Sequence, residues 1–294
     1  MNGFFTKYKN KKDGVIRGYD ISSTSVKIAC IIIMVICLAI VLFSIFPIVW
    51  VFLASFKDIK EFNRNVTILP DVYDFSRLKA TWNAFSFPKY YRNSLIMVIG
   101  CIITSVFFNG LIAYALAILK PKGHKIVFLL VMWTLLIPSS TNIIALFRNI
   151  NILNINGTFL PLWFAYGANA FYIVLFKEFF EGIPVELLEA GKLDGAGVMK
   201  IFTAIILPLS KPIIMVVAIF AVTAAWSDFL LPYLVLKGTN YETVMVKLFS
   251  FKDTPTDAVS VLRACLFAII PPTIIFALFQ RQITDGAAAG AVKG

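Results

Sequence analysis

The sequence predicts an all-α membrane protein of about six transmembrane helices, and three observations carry that prediction. Of 294 residues, 59% are hydrophobic and 15% charged, with a mean hydropathy of +0.84, too little polar surface to cover a soluble core of that size. The apolar residues gather into runs of about 20 or more, the length that crosses a bilayer's hydrocarbon layer. The charge collects in the short segments between those runs and forms no stripe along any of them.

Taken in order, residues 1–25 are polar and basic (Lys7, Lys9, Lys11, Lys12, Arg17) and lack the small-residue cleavage site of a secretory signal. They are expected to form a cytoplasmic N-terminal segment. An apolar membrane region, 26–279, follows. Its first run, 26–54, exceeds one span and should tilt or kink near Pro47. Residues 55–93, with Pro70, Pro88, aromatics and mixed charge, read as a substantial exterior loop with short helices. A second span is expected over 94–119, a tight basic turn over 120–125, and a third span over 126–147 that contains Pro138 and the polar cluster Ser139 to Asn142. An asparagine-rich loop leads to a fourth span over 159–179. Residues 181–211 are the one long polar stretch on the inner side. A fifth span over 212–236, an exterior loop over 237–262 and a sixth span over 263–279 complete the set. Pro271-Pro272 must interrupt the backbone ladder of the last span. The tail, 280–294, is rich in glycine and alanine and is expected in the cytoplasm. Short basic flanks place the N-terminus inside, and six spans return the C-terminus to the same side.

The net charge of +11 belongs to loops held at an anionic inner leaflet. It makes no aromatic-interleaved groove, so nucleic acid is not an expected partner. The four cysteines, Cys30, Cys37, Cys101 and Cys265, all lie in apolar runs without a CxxC pair, as small buried hydrophobes do. The only histidine, His124, sits in the basic turn with nothing to complete a metal site or triad. No Gly-x-x-x-x-Gly-Lys-Ser/Thr occurs, so the chain has no phosphate cradle for ATP. No internal repeat is present.

One inner-side segment is far too regular for a random loop: Ile183-Pro-Val-Glu-Leu-Leu-Glu-Ala-Gly-Lys-Leu-Asp-Gly-Ala-Gly197, continuing to Ile205-Ile-Leu-Pro208. Pro184 suits a first helical position, and Glu186 in the first turn complements the helix dipole. The helix can run through Leu193, with Glu189 and Lys192 as an i,i+3 pair. Asp194-Gly195-Ala196-Gly197 forces a turn, because glycine tolerates the left-handed backbone of a helix C-terminus. A second helix over 198–207 runs until Pro208 and Pro212 interrupt it. A plain interfacial anchor would need only apolar periodicity and gives no reason for these fixed offsets.

This pattern resembles the cytoplasmic loop signature of binding-protein-dependent ABC importer permeases: Glu-Ala-Ala, three residues, Gly, nine residues, Ile, one residue, Leu-Pro. Glu189, Ala190, Gly195, Ile205, Leu207 and Pro208 fall in register, and Gly191 stands where the family usually has a second alanine. Asn93-Ser-Leu, Ala113-Tyr-Ala-Leu116, Trp226-Ser-Asp-Phe229 and the ending Gly290-Ala-Val-Lys-Gly294 look like the carbohydrate branch. They are similar to the smaller permease of maltose-type systems, although Ser227 replaces the usual Asn. The resemblance implies a type I importer permease fold with a coupling helix docking on a cytoplasmic ATPase dimer. It assigns the joint to Glu186, Leu187, Leu188, Glu189, Ala190, Gly191, Leu193, Asp194, Gly195 and Ala196. It also implies a second permease subunit, an extracytoplasmic sugar-binding protein on the exterior loops, and a bacterial cytoplasmic-membrane location. ATP and Mg would be bound by the partner ATPase, and no cofactor by this chain.

Within the spans, Asp228 reads either as a carboxylate facing a water-filled cavity or as a hydrogen-bonded packing residue near the interface. Asn142, Asn169, Trp226 and Tyr233 could line a sugar path, where hydroxyls want hydrogen bonds and aromatic faces. Helix–helix glue is an equally ordinary use of such side chains. The competing function is an ion-gradient-driven secondary transporter, which would want paired intramembrane charges in two related halves. The sequence offers one carboxylate and no repeat.

Overall fold

The computed structural model describes residues 24–64 and 67–291, and every regular element among them is helical. Most of the expected N-terminal segment and the final Val292-Lys-Gly294 lie outside the described residues. Three helices are long and apolar enough to cross a membrane unbroken: Val26–Ala54, Phe87–Leu119 and Ala258–Gln280. The first lies in α1 (Thr24–Ala54), which carries Pro47 in its interior and leaves almost its whole apolar surface uncovered by the rest of the chain.

Between α1 and the next long helix the expected loop folds into α2 (Ile59–Arg64) and α3 (Phe75–Ala84). Asp74 caps α3 by accepting the Ser76 N–H at 2.8 Å. α4 (Phe87–Tyr114) begins seven residues before the expected start of the second span at Ser94, and Pro88 sits in its first turn. The polar and aromatic residues 87–93 form helix because they pack on neighbours, which a reading based on hydropathy alone does not register. A π-helical turn, Ala115–Leu119, ends α4, and Lys120 (φ 46°) and Gly123 (φ 89°) close the basic turn in the left-handed region. His124 opens the next helix and is not a free loop residue; its Nδ1 lies 3.0 Å from the Pro121 carbonyl.

The third, fourth and fifth expected spans are each interrupted. α5 (His124–Leu136) stops before Pro138, a 3₁₀ turn covers Ser139–Asn142, and α6 (Ile143–Ile152) resumes. Proline disfavours the helical conformation of its predecessor, and Ile137 is extended (φ −91°, ψ 121°). The fourth expected span divides into α7 (Leu160–Gly167) and α8 (Ala170–Glu181) at Ala168-Asn169. α9 (Val185–Leu193) follows, then α10 (Val198–Ile201), a π turn over Phe202–Ile206, and α11 (Leu207–Leu209). α12 (Lys211–Ser227) leaves Ser210 bent by 81° from the helix before it. α13 (Leu230–Leu236) is separated from α12 by Asp228, whose backbone is extended (φ −68°, ψ 126°). α14 (Val244–Ser250) lies in the last loop, and α15 (Ala258–Ala291) continues through Pro271 and Pro272, so the expected interruption does not end that helix.

Two hydrophobic cores are stacked along α4 and α12. One gathers Met97, Val98 and Cys101 of α4, Leu162 of α7, Trp226 of α12 and Phe267 of α15. The other gathers Ala113, Tyr114 and Leu116, Tyr172, Phe176 and Phe180 of α8, Leu188 of α9, Ile201, Phe202 and Ile206, and Val217 and Ala221 of α12. Between them on α4 lie Ser105 and Asn109, both fully buried and polar.

Candidate functional site

The segment 183–208 folds as two short helices around a glycine turn, as the sequence predicts. Pro184 takes the N-cap and not the first helical position, and Glu186 lies in the first turn of α9. The end of α9 is a Schellman motif. Ala196 N–H donates to the Gly191 carbonyl at 2.9 Å, and Gly195 N–H to that of Lys192 at 3.0 Å. Gly195 holds φ at +73°, where a Cβ is disfavoured whatever the space around it. The Glu189–Lys192 ion pair is not among those formed by the described residues. The structure therefore uses Lys192 as a last-turn cation on the helix dipole, with Glu189 left facing outward.

α9 has two faces. Leu188 (5% exposed) and Gly191 are buried against the chain's own core. A Cβ on Gly191 would stand 2.6 Å from Ile205 Cδ1, so glycine here makes room for the returning helix. The other face presents Glu186, Leu187 (42% exposed), Glu189, Ala190, Leu193 (89% exposed) and Asp194, while Ala196 is half-buried. An open apolar groove runs beside it, lined by Phe179, Ile183, Pro184, Leu187 and Leu209. α9 thus has one face anchored inside the chain and an exposed face that mixes leucines and carboxylates.

The anchorage is extensive. Phe202 and Ile206 are fully buried, and the Phe202 ring lies 5.2 Å from that of Tyr114. Tyr114 OH donates to the Val198 carbonyl at 3.2 Å. Ser210, also fully buried, donates its hydroxyl to the Ile206 carbonyl at 2.6 Å and fixes the elbow into α12. α9 and the segment after it are thereby packed against α4, α8 and α12.

The five residues proposed for a sugar path do not converge on one cavity. Trp226 is buried at 4% exposure and donates Nε1–H to the Ala268 carbonyl at 3.0 Å, which makes it a packing residue between α12 and α15. Asp228 Oδ1 accepts the Leu230 N–H at 3.1 Å, at the start of α13. Asn169 caps α8 by accepting the Tyr172 N–H at 3.2 Å. Asn142 is exposed at the end of the 3₁₀ turn. Tyr233 hydrogen-bonds Lys237, which pairs with Asp253 at 3.2 Å.

Sequence reasoning missed Asn109, whose carboxamide bridges the break between α7 and α8. It also gave no physical role to Asn93, whose Nδ2 donates to the carbonyls of Asn240 (2.8 Å) and Glu242 (2.9 Å). With the Val244 N–H donating to Ser94 Oγ at 3.0 Å, that contact pins the last loop onto α4. An Asn inside or at the mouth of an apolar run was the available signal, because such a group must find partners.

The described residues form a helical bundle with an exposed loop helix, and comparison with known proteins supplies its class. The fold matches that of a chain in the crystal structure of a bacterial ABC transporter involved in import of the acidic polysaccharide alginate. The TM-score is 0.79 at 22% identity, covering 88% of this chain and 98% of that one. No family model matches the chain. Among curated proteins, the sn-glycerol-3-phosphate transport system permease protein UgpE of Yersinia pestis is 30% identical over 260 residues, 84% of this chain and 91% of that protein. The arabinooligosaccharides transport system permease protein AraQ of Bacillus subtilis is 29% identical over 258 residues, 86% and 92% of the two chains. The diacetylchitobiose uptake system permease protein NgcG of Streptomyces coelicolor is 26% identical over 255 residues, 85% and 84%. The chain belongs to the ABC importer permease family, in its carbohydrate branch. It is a transport subunit and not an enzyme, and the ion-gradient alternative gives way to this assignment.

Proposed function

We propose that this chain forms half of the translocation pathway for a sugar, most simply an oligosaccharide, and receives the work of ATP hydrolysis through α9. The observation that carries the coupling role is the two-faced α9, buried at Leu188 and Gly191 and exposed at Leu187, Glu189 and Leu193. ATP and Mg would be held by a separate cytoplasmic ATPase dimer, whose closure α9 passes to α4, α8 and α12 as alternating access. A second permease would supply the other wall of the pathway, and an extracytoplasmic binding protein would deliver the sugar to the loops around α3 and α14. The setting is a bacterial cytoplasmic membrane with both termini inside. The oligosaccharide reading draws on the names of AraQ and NgcG, and UgpE widens the class to small phosphorylated polyols.

The test is purification of the tagged chain in mild detergent or lipid discs, with identification of what accompanies it. An ATPase and a second permease are the expected companions. Glu189→Lys should remove the ATPase from that complex while leaving the second permease in place. Recovery of the chain alone under every condition would overturn the reading.

A further inference from the structure

The break between α7 and α8 lies where the two cores meet, and one side chain spans it. Across Ala168 and Asn169 the backbone leaves helical geometry, with Ala168 at φ −122°, ψ 49° and Asn169 at φ −96°, ψ 112°. This opens the rungs that would have joined Ala170 to Tyr166 and Asn169 to Ala165. Asn109 of α4 supplies the replacements. Its Nδ2 donates to the Tyr166 carbonyl at 3.0 Å and to the Ser105 carbonyl at 2.8 Å, while its Oδ1 accepts the Asn169 N–H at 2.8 Å. Ser105 Oγ adds a longer bond to the same Tyr166 carbonyl, at 3.4 Å. The amide therefore acts as a surrogate peptide group, satisfying one stranded acceptor and one stranded donor on opposite sides of the break.

The location gives this bridge a mechanical meaning. α7 packs in the core that holds Met97, Trp226 and Phe267, whereas α8 packs in the core that holds Leu188 of the coupling helix. α9 and α8 share one core, and the helical break at Ala168-Asn169 separates it from α7. We propose that Asn109 is a positioning residue for transport: it holds α7 and α8 in one alignment across the polar seam, so that displacement of the coupling helix reaches the α7 side as a defined movement. Without the bridge, the α8 core would respond to the ATPase while the α7 core lagged. This inference rests on the permease reading above.

The experiment uses the whole reconstituted transporter carrying Asn109→Leu, with Asn109→Asp as a near-isosteric companion that keeps only the acceptor for Asn169 N–H. Uptake and ATP hydrolysis are measured with and without the binding protein, and deuterium uptake is followed in the peptide covering residues 160–176. The expected result is normal co-assembly, faster exchange around 166–170, and about tenfold less solute imported per ATP, a typical allosteric coupling factor. The Asp variant should fall between Leu and wild type. If uptake and hydrolysis decline together at a constant ratio, or exchange is unchanged, Asn109 is a packing residue and the proposal fails. Failure of the permease reading looks different: wild type would import without ATP or purify without an ATPase, while the exchange measurement would still report whether Asn109 bridges the break.

Discussion

At the scale of single residues, the glycines at 191 and 195 make different predictions. Gly195 sits at φ +73° with nothing within 4 Å of an added Cβ, so Gly195→Ala carries a purely conformational cost. That cost is about 1–2 kcal/mol for a left-handed residue, read as a lower apparent Tm of the purified complex. Gly191 is helical, and Gly191→Ala gains up to about 1 kcal/mol of helix propensity. Against this stands the 2.6 Å approach to Ile205 Cδ1, the mobile end of its side chain, whose displacement off its rotamer costs about 0.5–1.5 kcal/mol. The two should nearly cancel, leaving Gly191→Ala within about 1 kcal/mol of wild type. Asp74 supplies a pH test. Its hydrogen bonds from Ser76, and then the charge of Arg77, hold its carboxyl below the usual 3.8. A depressed folded value means that the cap's contribution is complete above 3.8 and is lost as pH falls below it through the folded value. Amide protection of α3 should therefore weaken below that pH in wild type, and Asp74→Asn should remove the dependence while keeping a cap.

At the scale of elements, the close approach of α4 and α7 depends on Gly100. A Cβ there would fall 2.0 Å from Trp163 Nε1, inside the indole that donates to the Met97 carbonyl at 3.0 Å. A rigid ring cannot move aside as Ile205 can, so Gly100→Ala should cost about 1–3 kcal/mol in overpacking. Trp163→Leu should relieve much of that penalty in a double-mutant cycle on apparent Tm, because the two sites are in contact. Elements also show how much was legible in the sequence. The long helices α1, α4 and α15 were readable from apolar length, and the turn at Gly195 was readable from glycine chemistry. The breaks at Asn169 and Asp228 were not, because apolar composition is the same on either side of a break. Only Asn169 and Asp228 differ there, and each accepts a hydrogen bond from a backbone N–H just beyond the break. The helix and turn over residues 185–196 are legible in the sequence, but it does not assign Leu188 inward and Leu187 outward.

At the scale of the whole molecule, one guanidinium ties three distant parts of the chain together. Arg263 of α15 donates to the carbonyls of Ser55 and Lys57 at 2.8 Å each, just beyond α1, and to Thr81 Oγ1 of α3 at 3.3 Å. Ser55 and Lys57 are buried, so Arg263→Ala would strand two carbonyls at about 1–3 kcal/mol each. Exchange in residues 52–60 should rise well before the rest of the fold loosens. Arg263→Lys should rescue little, since a point charge cannot match the guanidinium's fork of donors. If α1 exchanges no faster in Arg263→Ala, its seat on α15 is fixed by apolar contact alone.

α4, like α12, runs uninterrupted through both cores, and this makes chain length itself a constraint along it. Each residue in an α-helix advances about 1.5 Å and turns about 100°. Deleting one residue between Cys101 and Ala113 would swing the whole coupling-side core by that angle against its counterpart, however conservative the remaining sequence. The loops around α2, α3 and α14 can gain or lose residues without such a penalty. Along α4 the spacing of the sequence works as a gear, and its tooth count cannot drift.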